Sequence, residues 1–342
     1  MKKIRVLFAV FLLFTTLASA CMPAQADCSS QDMFCVGLVT DIGKVNDKSF
    51  NQSCWEGLQQ ARKELGTRVE YIETADTKDY AANIATFGNE GFDVIVTCGF
   101  NLGDATIAAA KTFPTIDFIG VDQFQAEPTD RVAGLNFPED RASFLVGALA
   151  AMMSRNHIVG AVCGPDAVPP VWRLGEGYKA GVAYVDSINS TTTEVFVVYH
   201  DNDDQAFTDT EWGSATAKAM IDEGADVVFG CGSVTGNSAI ITAAQSDAYA
   251  IGVDTDQYLT LPEAAPLMLT SAVKLITPGV FDLIKLSRAG KFPSGNYLGD
   301  VGYAPFHDVD NKVPDDVKAT MEKINAGLLD GSIRTNVPSV KP

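Results

Sequence analysis

The stretch DIGKVNDKSFN, Asp41 to Asn51, sets two carboxylates, two carboxamides, a hydroxyl and a phenylalanine within eleven residues. Such a set suits holding a small molecule that is polar at its edges and flat elsewhere, because carboxylates and amides form directed hydrogen bonds and the ring offers an apolar face. Asp122 and Asp254 end apolar runs, and Lys274 interrupts one, MLTSAVKLI. A charge in such a place is costly unless it is paired or faces a cleft. Catalytic signals are weak by comparison. His157, His200 and His307 are scattered, CxxC is absent, and no Ser/His/Asp or Cys/His set is visible. The DTD of Asp254–Asp256 offers an isolated pair where a calcium-dependent nucleoside hydrolase needs several converging oxygens. GxxxxGK[ST] is also missing, so the chain is not expected to hydrolyse ATP. The residues point to binding without a metal or cofactor, and the chain is not expected to be an enzyme.

The elements that must position these residues follow from periodicity. Before Asp41 lies VGLVT, which reads as a buried strand; after it Phe50, Cys54, Leu58, Ala61 and Leu65 recur at spacings of three or four and mark one face of a helix. The polar stretch is thus a strand-to-helix turn. GFDVIVTCG (from Gly91) and IGVD (from Ile119) return as GADVVFGCG (from Gly224) and IGVD (from Ile251), offset by 133 and 132 residues. Two strings repeated at nearly one spacing indicate an internal duplication. Each half alternates short β-branched runs with amphipathic stretches, VEYIET, DVIVTC and DFIGVD in one, EVFVVY, DVVFGC and AIGVD in the other. The expectation is an α/β protein of two similar lobes, each a parallel sheet flanked by helices, with ligand held beyond the carboxyl ends of the strands.

Length and composition agree. A chain of 342 residues suits two domains, and 46% hydrophobic with 20% charged residues describes a globular protein. Lys2, Lys3 and Arg5 precede an apolar run to about Ala20, the layout of a secretory signal. LASAC, Leu17 to Cys21, resembles a lipobox, which would lipidate Cys21 and anchor the exported chain at the outer face of a bacterial cytoplasmic membrane; ASA is equally an A-x-A cleavage site that would release it. Without the signal, 22 Lys+Arg face 43 Asp+Glu, a balance that disfavours nucleic acid and anionic lipid. In an exported chain Cys28, Cys35 and Cys54 are expected to supply one disulfide, while Cys98 and Cys231, inside apolar strands, read as packed small hydrophobes.

The turn at Asp41–Asn51, AFTD at Ala206–Asp209, GADVVFGCGSVTG at Gly224–Gly236, GVDTDQ at Gly252–Gln257, TSAVK at Thr270–Lys274 and GSIRTNVP at Gly331–Pro338 together resemble the basic membrane protein family of ABC-transporter solute-binding lipoproteins, which includes purine nucleoside receptors. The resemblance spans Val36 to about Pro338. It implies a type I periplasmic binding protein fold with a cleft between lobes, and a receptor that delivers a nucleoside to separate permease and ATPase subunits. It implies a ligand set of Asp41, Asn46, Ser49, Phe50, Asp122, Phe207, Gly232, Asp254 and Lys274, with a base between Phe50 and Phe207 and the sugar near Gly232, Asp254 and Lys274. Asp47 is read instead as a helix N-cap. A sugar, a free base or a signalling furanose is the alternative ligand. Trp172 has two readings, at the cleft mouth or over the second lobe's first helix. The expected boundaries are a signal at 1–20, a tether at 21–34, a first lobe at 35–155, a second at 156–275 and crossover elements at 276–342, in a monomer.

Overall fold

The computed structural model describes Cys28 and residues 33–342; the signal, Cys21 and its lipidation lie outside the described residues. The first sheet begins with β1 (Cys35–Ile42), α1 (Phe50–Leu65), β2 (Arg68–Thr74), α2 (Tyr80–Asn89), β3 (Val94–Cys98), α3 (Gly103–Thr112), β4 (Asp117–Val121) and β5 (Val132–Asn136). There follow α4 (Glu139–Met153), β6 (Ile158–Cys163), α5 (Pro169–Asn189), β7 (Glu194–Tyr199), α6 (Thr210–Asp222), β8 (Val227–Cys231), α7 (Ser233–Gln245), β9 (Tyr249–Asp254), α8 (Gln257–Thr260) and β10 (Met268–Lys274). The last elements are α9 (Ile276–Arg288), β11 (Gly295–Leu298), β12 (Val301–Tyr303) and α10 (Asp315–Asp330).

Two six-stranded sheets result, ordered β11-β5-β4-β3-β1-β2 and β12-β10-β9-β8-β6-β7. All pairings are parallel except β10 with β12. The central strands β3, β4 and β8 are buried along their whole length, as continuous apolar runs require when helices cover both faces. Helix α1 buries Cys54, Leu58 and Ala61 on the face read from their spacing, and ends where Gly66 adopts a left-handed φ of 68° and donates its N–H to Arg62 O. The two lobes of the α/β fold are therefore as expected from the duplication.

The chain passes between the lobes at three places. Phe137 packs in the first lobe's core, whereas α4, immediately after Pro138, packs in the second lobe's core with α5. The first lobe drawn to residue 155 thus includes a helix that the structure puts in the other lobe. The sequence of α4 is apolar nearly all round, and eleven of its residues are buried, so periodicity did not reveal which lobe it faces. The chain returns at Leu275, since α9 buries Val280, Leu283 and Ile284 against the first sheet, and crosses again between β11 and β12.

The cysteine expectations need correction. Three disulfides join Cys28 to Cys35, Cys54 to Cys98 and Cys163 to Cys231. Cys98 and Cys231 are buried but bridged. An apolar strand position suits a half-cystine as well as a packed thiol, and the partner was invisible until the register was known: Cys163 and Cys231 are directly opposed on β6 and β8, with Cα atoms 4.3 Å apart. Such bonds belong to an oxidising compartment. Peptide mapping without reductant should recover these three bridges, and the Cys163→Ser/Cys231→Ser double variant should lose about 2–5 kcal/mol in urea unfolding. Recovery of free Cys163 and Cys231 from the native protein would contradict the pairing.

Candidate ligand-binding site

The carboxyl ends of both sheets face one cleft, whose free space, counted out into open solvent, is about 630 Å³ and which is lined by Asp41, Phe50, Asp122, Phe207, Gly232, Asp254 and Lys274, among others. Seven of the nine residues expected from the sequence meet there. Each lobe contributes one of the two aromatic rings named above. Phe50 opens α1 and packs on the first lobe's core. Phe207 precedes α6, whose start is fixed by the Asp209 side chain accepting from Trp212 N–H at 2.9 Å. Its ring lies so close to Gly164 that a Cβ there would come within 2.5 Å of it. Glycine at 164 is what lets the ring settle against the second lobe.

Asn46 and Ser49 stand apart from the lining. Asn46 is exposed. Ser49 is fully buried and spans the lobes: its hydroxyl donates to Asp254 Oδ2 at 2.7 Å, with Val253 O at 3.3 Å. Asp47 does cap α1, accepting from the N–H groups of Ser49, Asn51 and Gln52 at 3.0 Å each, but it also lines the cleft and accepts from Ser233 Oγ of the other lobe at 2.9 Å. Lys48, held at a φ of 66°, turns its carbonyl to Gln257 Nε2 at 3.1 Å and Thr260 Oγ1 at 2.9 Å. The opening turn is thus half cleft wall and half interlobe latch. Trp172 is absent from the lining and stacks on Tyr199, centroids 6.1 Å apart.

The charged group is the electrostatic centre. Lys274 Nζ lies 2.7 Å from Asp122 Oδ2, 3.6 Å from Asp254 Oδ1 and 4.0 Å from Glu139 Oε1, with all four residues buried. It also sits 4.7 Å from the Phe50 ring centroid. Asp122 and Asp254 close the duplicated strands in the same left-handed conformation, φ 62° and 66°. Burial alone would depress the Lys274 ammonium, but Asp122, Asp254 and Glu139 outweigh it and hold its pKa above the ordinary value. Burial raises Asp254, opposed by Lys274 and Ser49, and burial likewise raises Asp41, opposed by its bonds from Tyr80, Ile42 N–H and Asn101. Glu139 is pushed up to about 7 by burial and then by Asp122, with Lys274 and Arg173 pulling the other way.

Glu139 and Arg173 were missed by the sequence reading, as were Tyr80, Asn101 and Asn51. Glu139 begins a helix and so looked like an ordinary first-turn acid. Asn51 belonged to the opening motif; its Oδ1 is buried, lacks a partner among the described residues, and belongs to a residue that lines the cleft. A buried acceptor left in that state is a place for a ligand donor. Asp122 Oδ1, also of a lining residue, shares the property.

Comparison with known proteins agrees with this layout. The model of the family described as ABC transporter substrate-binding protein PnrA-like matches residues 34–298. A CD4+ T-cell-stimulating antigen of Listeria innocua is 31% identical, covering 90% of this chain and 89% of its own. The ABC transporter nucleoside-binding protein BmpA of Lactococcus lactis is 30% identical over 88% of each chain. Among solved structures, an ABC transporter solute-binding protein from Aeropyrum pernix superposes with a TM-score of 0.80 at 23% identity, covering 89% of this chain and 94% of the other, and shares the fold.

The raised Glu139 carboxyl has a consequence for stability. Its ordinary value is 4.5 and its folded value is about 7, so its contribution is intact below about pH 4.5 and is lost as the pH rises through 7. Urea unfolding of ligand-free protein should therefore show a downward component between those values that Glu139→Gln flattens. An unchanged slope in the variant would place that titration elsewhere.

Proposed function

This chain belongs to the PnrA-like family of ABC transporter substrate-binding proteins, and on that premise we infer that its cleft captures a nucleoside, most naturally a purine nucleoside, for delivery to an importer. The observation that carries the reading is the lining of a single cleft by aromatic rings from both lobes, Phe50 and Phe207 among them, together with a buried lysine flanked by carboxylates. A base between Phe50 and Phe207 would gain stacking on both faces, about 1–3 kcal/mol per ring. A carboxylate accepts from both hydroxyls of a vicinal diol, and the ammonium donates to sugar oxygens. The BmpA relative is itself described as nucleoside-binding, which supports the same class of ligand here.

Charge refines the class. Asp41, Asp47, Asp122 and Asp254 line the cleft with one lysine, and the whole chain carries -18. A phosphorylated ligand meets repulsion both on approach and once seated. The ligand is therefore expected to be a neutral nucleoside. The exported, membrane-attached state read from Cys21 is part of the same proposal, supported by the three disulfides and by relatives described as lipoproteins. Among the described residues no helix is long and apolar enough to cross a membrane.

The test is a thermal-shift panel on protein unfolded and refolded to remove bound ligand, with purine and pyrimidine nucleosides, their bases, ribose and nucleoside monophosphates. Ligand at 100 times its Kd adds about 2.7 kcal/mol of stability. A purine nucleoside should stabilise the protein while ribose and the monophosphate do not; silence from every nucleoside would discard the assignment and leave the receptor family standing. Phe50→Ala should weaken the responding nucleoside roughly 5- to 150-fold by calorimetry. Gly164→Ala should also weaken it, because the new methyl displaces the Phe207 ring without any direct part in the site; equal affinity would place Phe207 outside the binding face.

A further inference from the structure

Behind the cleft, one set of contacts has no part in seating a ligand. Arg173, in the second turn of α5, donates through Nε to Glu139 Oε2 at 2.6 Å and through Nη1 to the backbone carbonyl of Ser339 at 2.7 Å. Ser339 lies in the irregular segment that follows α10, which ends where Gly331 turns left-handed at φ 79°. The same segment is sewn down on both sides of that contact. Thr335 Oγ1 donates to Asp140, beside Glu139, and Lys341 Nζ reaches Asp166 Oδ2 at 2.6 Å in the loop that leads into α5. The three anchors fall on the N-terminal ends of α4 and α5 and on that loop. Val168, Pro170, Val171 and Leu174 of the same region line the cleft.

The chemistry runs inward from there. Glu139 is fully buried, and its second oxygen faces Lys274 Nζ at 4.0 Å. A buried carboxylate needs its cation in a fixed geometry, and Arg173 keeps that geometry with a fork of which one prong is occupied by Ser339. Asp122 belongs to the first lobe, whereas Glu139, Asp254 and Arg173 belong to elements of the second. When the lobes part, Asp122 leaves Lys274 and the second-lobe carboxylates alone keep it in place.

We propose that the segment Thr335–Lys341 is a strap that fixes Arg173 against Glu139 and thereby holds Lys274 in the position that receives ligand. Arg173 and Glu139 are positioning residues in this scheme. They act on ligand only through the lysine. The inference rests on the nucleoside reading for its first readout and on none for its second.

The experiment is a cycle of four proteins: the native chain, the chain ended at Arg334, the Glu139→Gln/Arg173→Gln variant, and that variant ended at Arg334. Paired substitution avoids leaving Glu139 as an uncompensated buried charge, and circular dichroism with thermal melts checks that each protein folds. Titration with inosine and adenosine should show affinity falling roughly 2- to 30-fold when the strap is removed from the native chain. In the doubly substituted background the same removal should change affinity less than about twofold, because the route is already cut. Equal losses in both backgrounds, or no loss in the native one, overturn the proposal. If the native chain binds neither of these nor any other nucleoside of the thermal-shift panel, the nucleoside reading fails, and the second readout decides alone: labelling of Lys274 by an amine-reactive reagent in ligand-free protein, followed by mass spectrometry. Strap removal should accelerate that labelling about tenfold. An unchanged rate overturns the strap.

Discussion

The structure turns on one buried ammonium. Lys274 is 3% exposed and meets Asp122, Asp254 and Glu139 within 4.0 Å. Desolvating a charge costs several kcal/mol, and taking one partner from a buried pair typically destabilises by about 3–5 kcal/mol, so this lysine dictates what surrounds it. It is the last residue of β10, next to the second crossing between lobes, and Glu139 begins the helix just after the first. The charges therefore sit at the hinge side of the cleft. Asp122 belongs to one lobe and Lys274, Asp254 and Glu139 to elements of the other, so a lobe motion would change which carboxylates the lysine touches, and a ligand that offers hydroxyls between Asp122 and Asp254 would bias the same equilibrium.

Around this centre the lobes are held by hydrogen bonds to the opening turn, three to its backbone carbonyls and one to a carboxylate. The carbonyl of Lys48 and the carbonyl and carboxylate of Asp47 receive Gln257, Thr260, Asn237 and Ser233 from the opposite lobe. Gln257 also fixes the strand that ends in Asp254, since its Oε1 accepts from Val253 N–H at 2.8 Å. Closure and site geometry are consequently linked through one glutamine. A neutral hydrogen bond contributes only about 0.5–1.5 kcal/mol net, an amount suited to a cleft that must open again.

Much of this was legible in the sequence because it repeats. The duplicated strings gave the two sheets, and their polar ends gave the cleft edge. Phe50, Asp122, Asp254 and Lys274 stood out because each broke or bordered an apolar pattern. What escaped detection had no such contrast. Ser49 carries the same letters whether it faces a ligand or the other lobe, and its role emerges only with Asp254 alongside. Glu139 is indistinguishable from any acid at a helix start until Arg173 and Lys274, 34 and 135 positions away, are folded onto it. The disulfides show the same limit, since strand register and helix docking brought together partners 44 and 68 residues apart.

Duplication also explains why the two lobes do not do the same thing. Asp122 and Asp254 share strand, motif and left-handed backbone, yet only Asp254 lies in the lobe that supplies Lys274 and receives Ser49. Cys98 and Cys231 are likewise equivalent, but Cys231 bonds across to Cys163 on the neighbouring strand, where the first lobe has Thr40 opposite Cys98. The first lobe's bridge runs instead to Cys54, one turn after Phe50 on α1. That bond ties the helix bearing the first aromatic ring to the central strand beneath it, whereas in the second lobe the ring is set by Asp209 and by the absence of a side chain at Gly164. One lobe ties down the helix that carries its ring with a disulfide, the other sets its ring by capping and close packing. An interlobe cleft needs that divergence, because two identical walls would present the same groups to both faces of a ligand whose ends differ.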